Sequence, residues 1–270
     1  MEWNYNEIKP KSTLSEYIDC IWWENYSDMN PHNNKHLLIP DNSIELIFTN
    51  SDIQRYFPLS EEYKIRKSHL AGLRTTPQSC TVDKSPIISV RFNPKKFYIL
   101  CKTEVIKTIN NNLEPKECFG QSVLDLEKDI FKASSQQDRI HLIESYFEKY
   151  LISQSNCSDD VFEKIVSYID SCKGDCTIRD FSSLFHTSTS TIERKFKKNL
   201  GLTPKKYSML VRFVNQTFTK KIEFKNYINN TGFNYYDQAH FIKEMSKFSG
   251  LTPKQLTSLN IGIQEVSFKK

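Results

Sequence analysis

The sequence predicts an α+β protein: a β-rich N-terminal part with trailing helices, then an all-α C-terminal part of two helix-turn-helix units joined by a long helix. Three observations predict it. Short apolar runs between proline and asparagine turns fill the first 120 or so residues. A segment of 20 residues, 188–207, recurs in similar form 49 positions later. The positive charge, +5 for the whole chain, is concentrated around that repeat.

With 270 residues, 38% hydrophobic and 26% charged, the chain can bury a substantial core, which excludes disordered and collagen-like classes. Runs such as Leu37-Leu38-Ile39 and Ile44 to Phe48 fall far short of the roughly 18 to 20 apolar residues a bilayer span requires, so no membrane segment is expected. The opening Met1-Glu2-Trp3-Asn4 does not read as a secretory signal, and the expected location is cytoplasmic. Seven scattered cysteines, an odd number, suit reduced thiols rather than a disulfide framework. Cys172 and Cys176 lack the further ligands a tetrahedral zinc site needs, so no metal is expected.

In chain order, the runs His36 to Ile39, Ile44 to Phe48 and Ile87 to Phe92 read as strands. Pro94 to Thr103, Ser122 to Phe131 and Gln137 to Ile152 carry helical periodicity, the last with Ile140, Ile143, Phe147 and Leu151 on one side. The polar stretch Ser153 to Asp160 reads as a linker, dividing the chain into domains 1–155 and 156–270.

Beyond it, Thr177 is placed to cap a helix from Ile178 to Phe185 with Ile178, Phe181 and Leu184 inward, and His186 and Thr187 make a turn. Ser188 caps the next helix, whose stripe is Ile192, Phe196 and Leu200, and Gly201 suits its left-handed end. Thr203 caps a further helix with Pro204 at its first position, where a missing N–H costs nothing. No glycine or further proline interrupts Pro204 to Lys221, so this reads as one connecting helix, about 27 Å long for 18 residues. In the second unit Phe224, Tyr227 and Ile228 begin a helix that stops before Thr231-Gly232-Phe233-Asn234. Asp237 then caps a helix with Phe241, Met245 and Phe248 inward, and Gly250, Thr252 and Pro253 repeat the punctuation of the first unit.

From Phe181 to the end, 15 Lys and Arg stand against 5 Asp and Glu, a net of +10 over 90 residues. Such a field favours a polyanion, and cytoplasmic polyanions are chiefly nucleic acids. At 100° per residue, Ser190, Arg194, Lys197 and Lys198 fall opposite the first apolar stripe, and Ala239, His240, Lys243 and Lys247 opposite the second. A basic face of small residues on a short helix fits the major groove, where arginine and lysine reach guanine O6 and N7. One such face is most simply a solvated surface; two at one spacing, on matching scaffolds, favour a reader of two neighbouring groove segments.

These residues carry a resemblance. Ser188, Ile192, Arg194, Phe196-Lys197, Gly201, Pro204 and Tyr207, followed by Asn234-Tyr235-Tyr236-Asp237-Gln238-Ala239-His240-Phe241, resemble the DNA-binding domain of the AraC/XylS family of transcriptional regulators. The resemblance implies seven helices in two helix-turn-helix units. It places base reading on Ser190, Glu193 and Arg194 in the first unit and on Gln238, Ala239, His240 and Lys243 in the second. Phosphates then fall to Lys197, Lys198, Lys205, Lys247 and Lys254. Glu193 has two readings, as an acceptor from cytosine N4 or as an intrahelical partner of Lys197. Asn234 stands where the family usually has glycine, its Ile-Ala is replaced by Asn229-Asn230 or shifted to Ile228-Asn229 by an extra residue, and Ser182 stands where alanine is common.

The phrases Ile39 to Phe48, Ala71-Gly72-Leu73-Arg74 and Val90-Arg91-Phe92-Asn93-Pro94 resemble the N-terminal sensor-type domain of one branch of that family. That implies a cupin-like β-structure that senses an effector or mediates self-association. Trp22, Trp23, Phe48, Arg91 and Phe92 are candidates to line a pocket there, or plain core. The implied partners are double-stranded DNA, RNA polymerase and a small-molecule effector, with the chain a monomer or a homodimer. Among the histidines, only His36 near Asp41 and Glu45 suggests a cupin-like metal enzyme. A DNA-repair enzyme fused to the DNA-binding module is another alternative. With no glycine-rich phosphate loop and no G-x-S-x-G, no enzyme, catalytic residue or cofactor is expected.

Overall fold

The computed structural model describes residues 5–24, 35–57, 61–81, 86–154, 158–219 and 238–258. Among these, the strands are β1 (Tyr5–Ile8), β2 (Ile18–Glu24), β3 (Lys35–Leu38), β4 (Ile44–Phe48), β5 (Ile53–Phe57), β6 (Glu62–Arg66), β7 (His69–Ala71), β8 (Gln78–Thr81), β9 (Ile87–Phe92) and β10 (Asn112–Leu113). The helices are α1 (Phe97–Leu100), α2 (Pro115–Phe119), α3 (Ser122–Lys132), α4 (Gln136–Ser153), α5 (Asp160–Ser171), α6 (Ile178–Leu184), α7 (Thr189–Leu200), α8 (Pro204–Val214), α9 (Gln238–Ser249) and α10 (Pro253–Ser258). The expected α+β order, strands first and helices after, is the observed one.

The strands form two sheets with antiparallel pairings, one in the order β1-β2-β9-β4-β7-β10 and one in the order β3-β8-β5-β6. Successive side chains leave a strand on opposite faces. Trp23, Phe48, Val90 and Phe92 therefore pack against the helices, while Cys20, Trp22 and Ile47 join Ile53 and Cys80 between the two sheets. Of the two readings of Trp22, Trp23, Phe48, Arg91 and Phe92, a shared pocket lining or plain core, the packing favours core: period two sends Trp22 and Arg91 to one face and the other three to the opposite one. The cluster between the sheets also encloses a charged group, with Glu45 accepting from Arg91 Nε at 2.9 Å and from Trp22 Nε1 at 3.1 Å.

Helices α3 and α4 cover the larger sheet. Ser135 caps α4 by accepting from Asp138 N–H, and Ile140, Ile143 and Phe147 bury its inner stripe. Phe147 meets Phe92 edge-on at 5.4 Å and Phe119 at 5.7 Å. The same apolar cluster continues without a break into α5, α7 and α8, where Phe162 meets Phe196 at 5.0 Å. At this junction Lys96 bridges to Glu163 at 2.7 Å and Tyr98 donates to the same carboxylate at 2.9 Å.

Two expected helices are shorter than their periodicity suggests. Only Phe97–Leu100 of Pro94 to Thr103 is helical, because beyond Cys101 the chain pairs with α2 instead, Lys102 N–H donating to the Cys118 carbonyl at 2.8 Å. The connecting helix keeps α geometry to Val214 and passes into a π turn over Asn215–Thr219. There Asn215 Nδ2 donates to the Val211 carbonyl at 2.8 Å, so a side chain competes for the helix ladder. Lys220 and Lys221, the expected helix at Phe224 to Ile228, the turn at 231–234 and the Asp237 cap lie outside the described residues.

Candidate nucleic-acid interface

Helix α6 begins with a reciprocal capping box between Thr177 and Asp180. A turn with His186 in the left-handed region (φ 46°) then leads to Ser188, which caps α7 by accepting from Thr191 N–H at 3.3 Å. Ile192, Phe196 and Leu200 are fully buried, and Gly201 ends the helix with φ 76°. With that stripe inward, Ser190, Glu193, Arg194, Lys197 and Lys198 all lie exposed, and Lys205 is exposed at the start of α8. Among the described residues Glu193 makes no ion pair with Lys197.

Helix α9, the counterpart of α7 in the repeat, is built alike. Phe241, Met245 and Phe248 are buried, Phe248 stacking on Phe213 of α8 at 5.1 Å. Gln238, Ala239, His240, Lys243 and Lys247 are exposed, as is Lys254 on α10. All twelve residues expected to meet DNA thus stand at the surface, on scaffolds whose apolar sides are closed.

What periodicity did not disclose is how α7 and α9 are tied down. Lys195, between Arg194 and Phe196, turns back to hold Asp159 with its Nζ 2.7 and 2.8 Å from the two carboxylate oxygens, and Asn199 Nδ2 adds a bond at 3.1 Å. Asp159 is also the N-cap of α5. Burial pushes its carboxyl up, but the bonds from Lys195, the Phe162 N–H and Asn199 outweigh this and hold it below its usual value. Position 244, 49 residues after Lys195, is likewise an anchor of opposite sign: buried Glu244 on α9 pairs with Arg212 on α8. The only signal of the first anchor in the sequence is the Ser158-Asp159-Asp160 cap ahead of an apolar run; nothing local marks the second.

The carboxylates of the alternative metal reading are engaged elsewhere. Asp41 accepts from Arg74 at 2.6 Å and Glu45 is held by Arg91 and Trp22, while the side chain of His36 lies outside the description. No cluster of three or more His, Cys, Asp or Glu able to hold a metal occurs among the described residues. No helix of the described residues is long and apolar enough to cross a membrane.

Residues 6–114 match the model of a domain of unknown function, DUF6597, over less than half of the chain. No curated protein matches. Among solved structures, ToxT from Vibrio cholerae in a P21 crystal form is similar over 96% of this chain and 100% of its own, with 13% identity and a TM-score of 0.48. ToxT of strain SCE256 with a bound unsaturated fatty acid covers 86% of this chain and 98% of its own, at 14% identity and a TM-score of 0.44. ToxT of strain O395 bound to (E)-4-(8-methylnaphthalen-1-yl)but-3-enoic acid covers 83% and 97%, at 14% identity and a TM-score of 0.47.

Proposed function

We propose that this chain is a cytoplasmic, sequence-specific DNA-binding transcriptional regulator of the AraC type. Residues 156–270 form the DNA-binding domain, with α6–α7 as one helix-turn-helix unit and α9 as the reading helix of the other. Residues 1–155 adjust its binding through a small-molecule effector or self-association. Arg194 and Lys243 read guanine, Gln238 reads adenine, and Ser190, Glu193, Ala239 and His240 complete the base-facing sets. Lys197, Lys198, Lys205, Lys247 and Lys254 hold phosphates, and RNA polymerase is the downstream partner.

The observation that carries this reading is the exposure of every one of these side chains, ten of them on two equivalent helices whose opposite faces are sealed in the core and Lys205 and Lys254 at the starts of the helices that follow. The test is retention of genomic fragments at several salt concentrations. Selected sequences are retained, and their retention falls steeply as salt rises, because each phosphate contact releases counterions. Retention indifferent to sequence defeats the reading.

A further inference from the structure

The repeat places Gly201 and Gly250 at the same point of the two units, each in the left-handed region, at φ 76° and 71°. Both corners abut the N-terminal part of the chain. A Cβ on Gly201 would stand 2.7 Å from Ile109 Cγ1 and 2.9 Å from Ile106 Cα; one on Gly250 would stand 3.1 Å from Pro77 Cγ. The backbone of each reading unit therefore approaches the N-terminal domain closely, through two different loops of it.

Those loops are one piece. Asn110, itself left-handed at φ 52°, accepts at Oδ1 from Thr75 N–H at 2.7 Å and from the Thr76 hydroxyl at 3.2 Å. Its Nδ2 donates to Thr75 Oγ1 at 2.8 Å and its N–H to the Leu73 carbonyl at 3.0 Å. The segment touching the second unit is thereby pinned to the segment touching the first. A third loop joins them: Asp41 accepts from Arg74, and neighbouring Asn42 donates to the Tyr207 hydroxyl of α8 at 3.3 Å. The segments around Asp41-Asn42 and Gly72-Leu73-Arg74 thus belong to an edge that meets both units and the helix between them.

The connecting helix holds α9 at its regular part, through the Arg212–Glu244 pair and the Phe213–Phe248 stack, before it leaves α geometry at Asn215, and the edge adds a second hold that reaches both units. We propose that the edge formed by residues 41–42, 73–77 and 106–111 sets the separation of the two reading helices, and that Asn110 and Pro77 are positioning residues for bipartite DNA recognition. The consequence for DNA rests on the function proposed above; the mechanical claim does not. In it, the N-terminal domain selects the spacing between half-sites without touching DNA.

The experiment has two arms on the full chain. In the first, spin labels introduced through an unnatural amino acid at positions 190 and 247 report the distance between α7 and α9 in the absence of DNA. The wild-type background gives one narrow distribution. Asn110→Gly, which keeps the left-handed backbone but removes the side-chain bonds, and Pro77→Asp, which alters the contact with the second unit, both broaden it. In the second arm, a base pair is inserted between the half-sites of a selected duplex. It weakens the parent about tenfold and the variants about threefold or less, while affinity for an isolated first half-site stays unchanged. A parent distribution as broad as the variants', variants as narrow as the parent, or an unchanged spacing penalty overturns the proposal. If no duplex is selected at all, the DNA-reading function fails and the distance arm alone decides the brace.

Discussion

The Arg212 guanidinium on α8 meets the Glu244 carboxylate on α9 through two parallel bonds, Nε to Oε1 and Nη2 to Oε2, both 2.9 Å. The Glu244 side chain is 1% exposed. A carboxylate so buried is tolerable only with a matched partner, and the forked guanidinium supplies the geometry. Arg212→Ala is expected to cost about 3 to 5 kcal/mol by leaving a buried charge without its fork. Combining Arg212→Leu with Glu244→Leu should recover most of that in urea unfolding. A double variant no more stable than Arg212→Ala would show the pair to be more than a satisfied buried charge.

Asp159 has two separable tasks, capping α5 and pairing with Lys195. Asp159→Asn keeps a capping oxygen and should leave stability within about 0.5 kcal/mol, since the pair is partly solvated. Asp159→Ala removes the cap as well and should cost about 1 kcal/mol or somewhat more. Equal losses in the two variants, measured by denaturant midpoints, would place the whole effect on the charge.

Arg194 and Lys197 sit three residues apart on the exposed face of α7 with different assigned tasks. Arg194→Ala should cost about 1 to 3 kcal/mol on the selected sequence and relax one base position. Lys197→Ala should weaken all sequences alike and lower the salt slope by about one contact. Competition binding against a set of single-base changes distinguishes them; an Arg194→Ala profile parallel to the parent at every position removes Arg194 from the readers.

His69 on β7 is fully buried, with Nδ1 2.7 Å from the Lys67 carbonyl. Burial first, and then the neighbouring Arg55 guanidinium, push its imidazole down to about 3. A folded-state value below the unfolded one, about 6.5, means that its stability contribution is complete above pH 6.5 and is lost as pH falls toward 3. At pH 5 the loss should be about 2 kcal/mol relative to neutral pH. His69→Gln should flatten the stability curve by about 3 kcal/mol between pH 4 and 6.5, in a comparison where the shared carboxylates cancel. Parallel curves would mean that the imidazole protonates freely in the folded protein.

The elements legible in the sequence are those whose information is local. β4 and β9 match their expected spans, Ile44–Phe48 and Ile87–Phe92, because central strands covered on both faces read as near-unbroken apolar runs. β5 and β6 were not legible, since the charged Arg55 occupies an inward position of β5 and β6 has no buried face, so each strand gains its meaning only from its partner. The caps at Thr177, Ser188 and Thr203 were legible because a cap acts over three residues, and the outward reading faces because a helix repeats every 3.6.

The sequence by itself thus determined the order of strands and helices, the caps of α7 and α8, the glycine end of α7, and which side chains of α7 and α9 face out. Only the tertiary structure decided what holds those helices. Lys195 meets Asp159 across 36 positions, Glu244 meets Arg212 across 32, and Asn42 meets Tyr207 across 165. The physical reason is range. Helix caps and apolar stripes act within a turn or two and leave a periodic trace, whereas an ion pair between distant segments leaves none until packing has brought its two ends together.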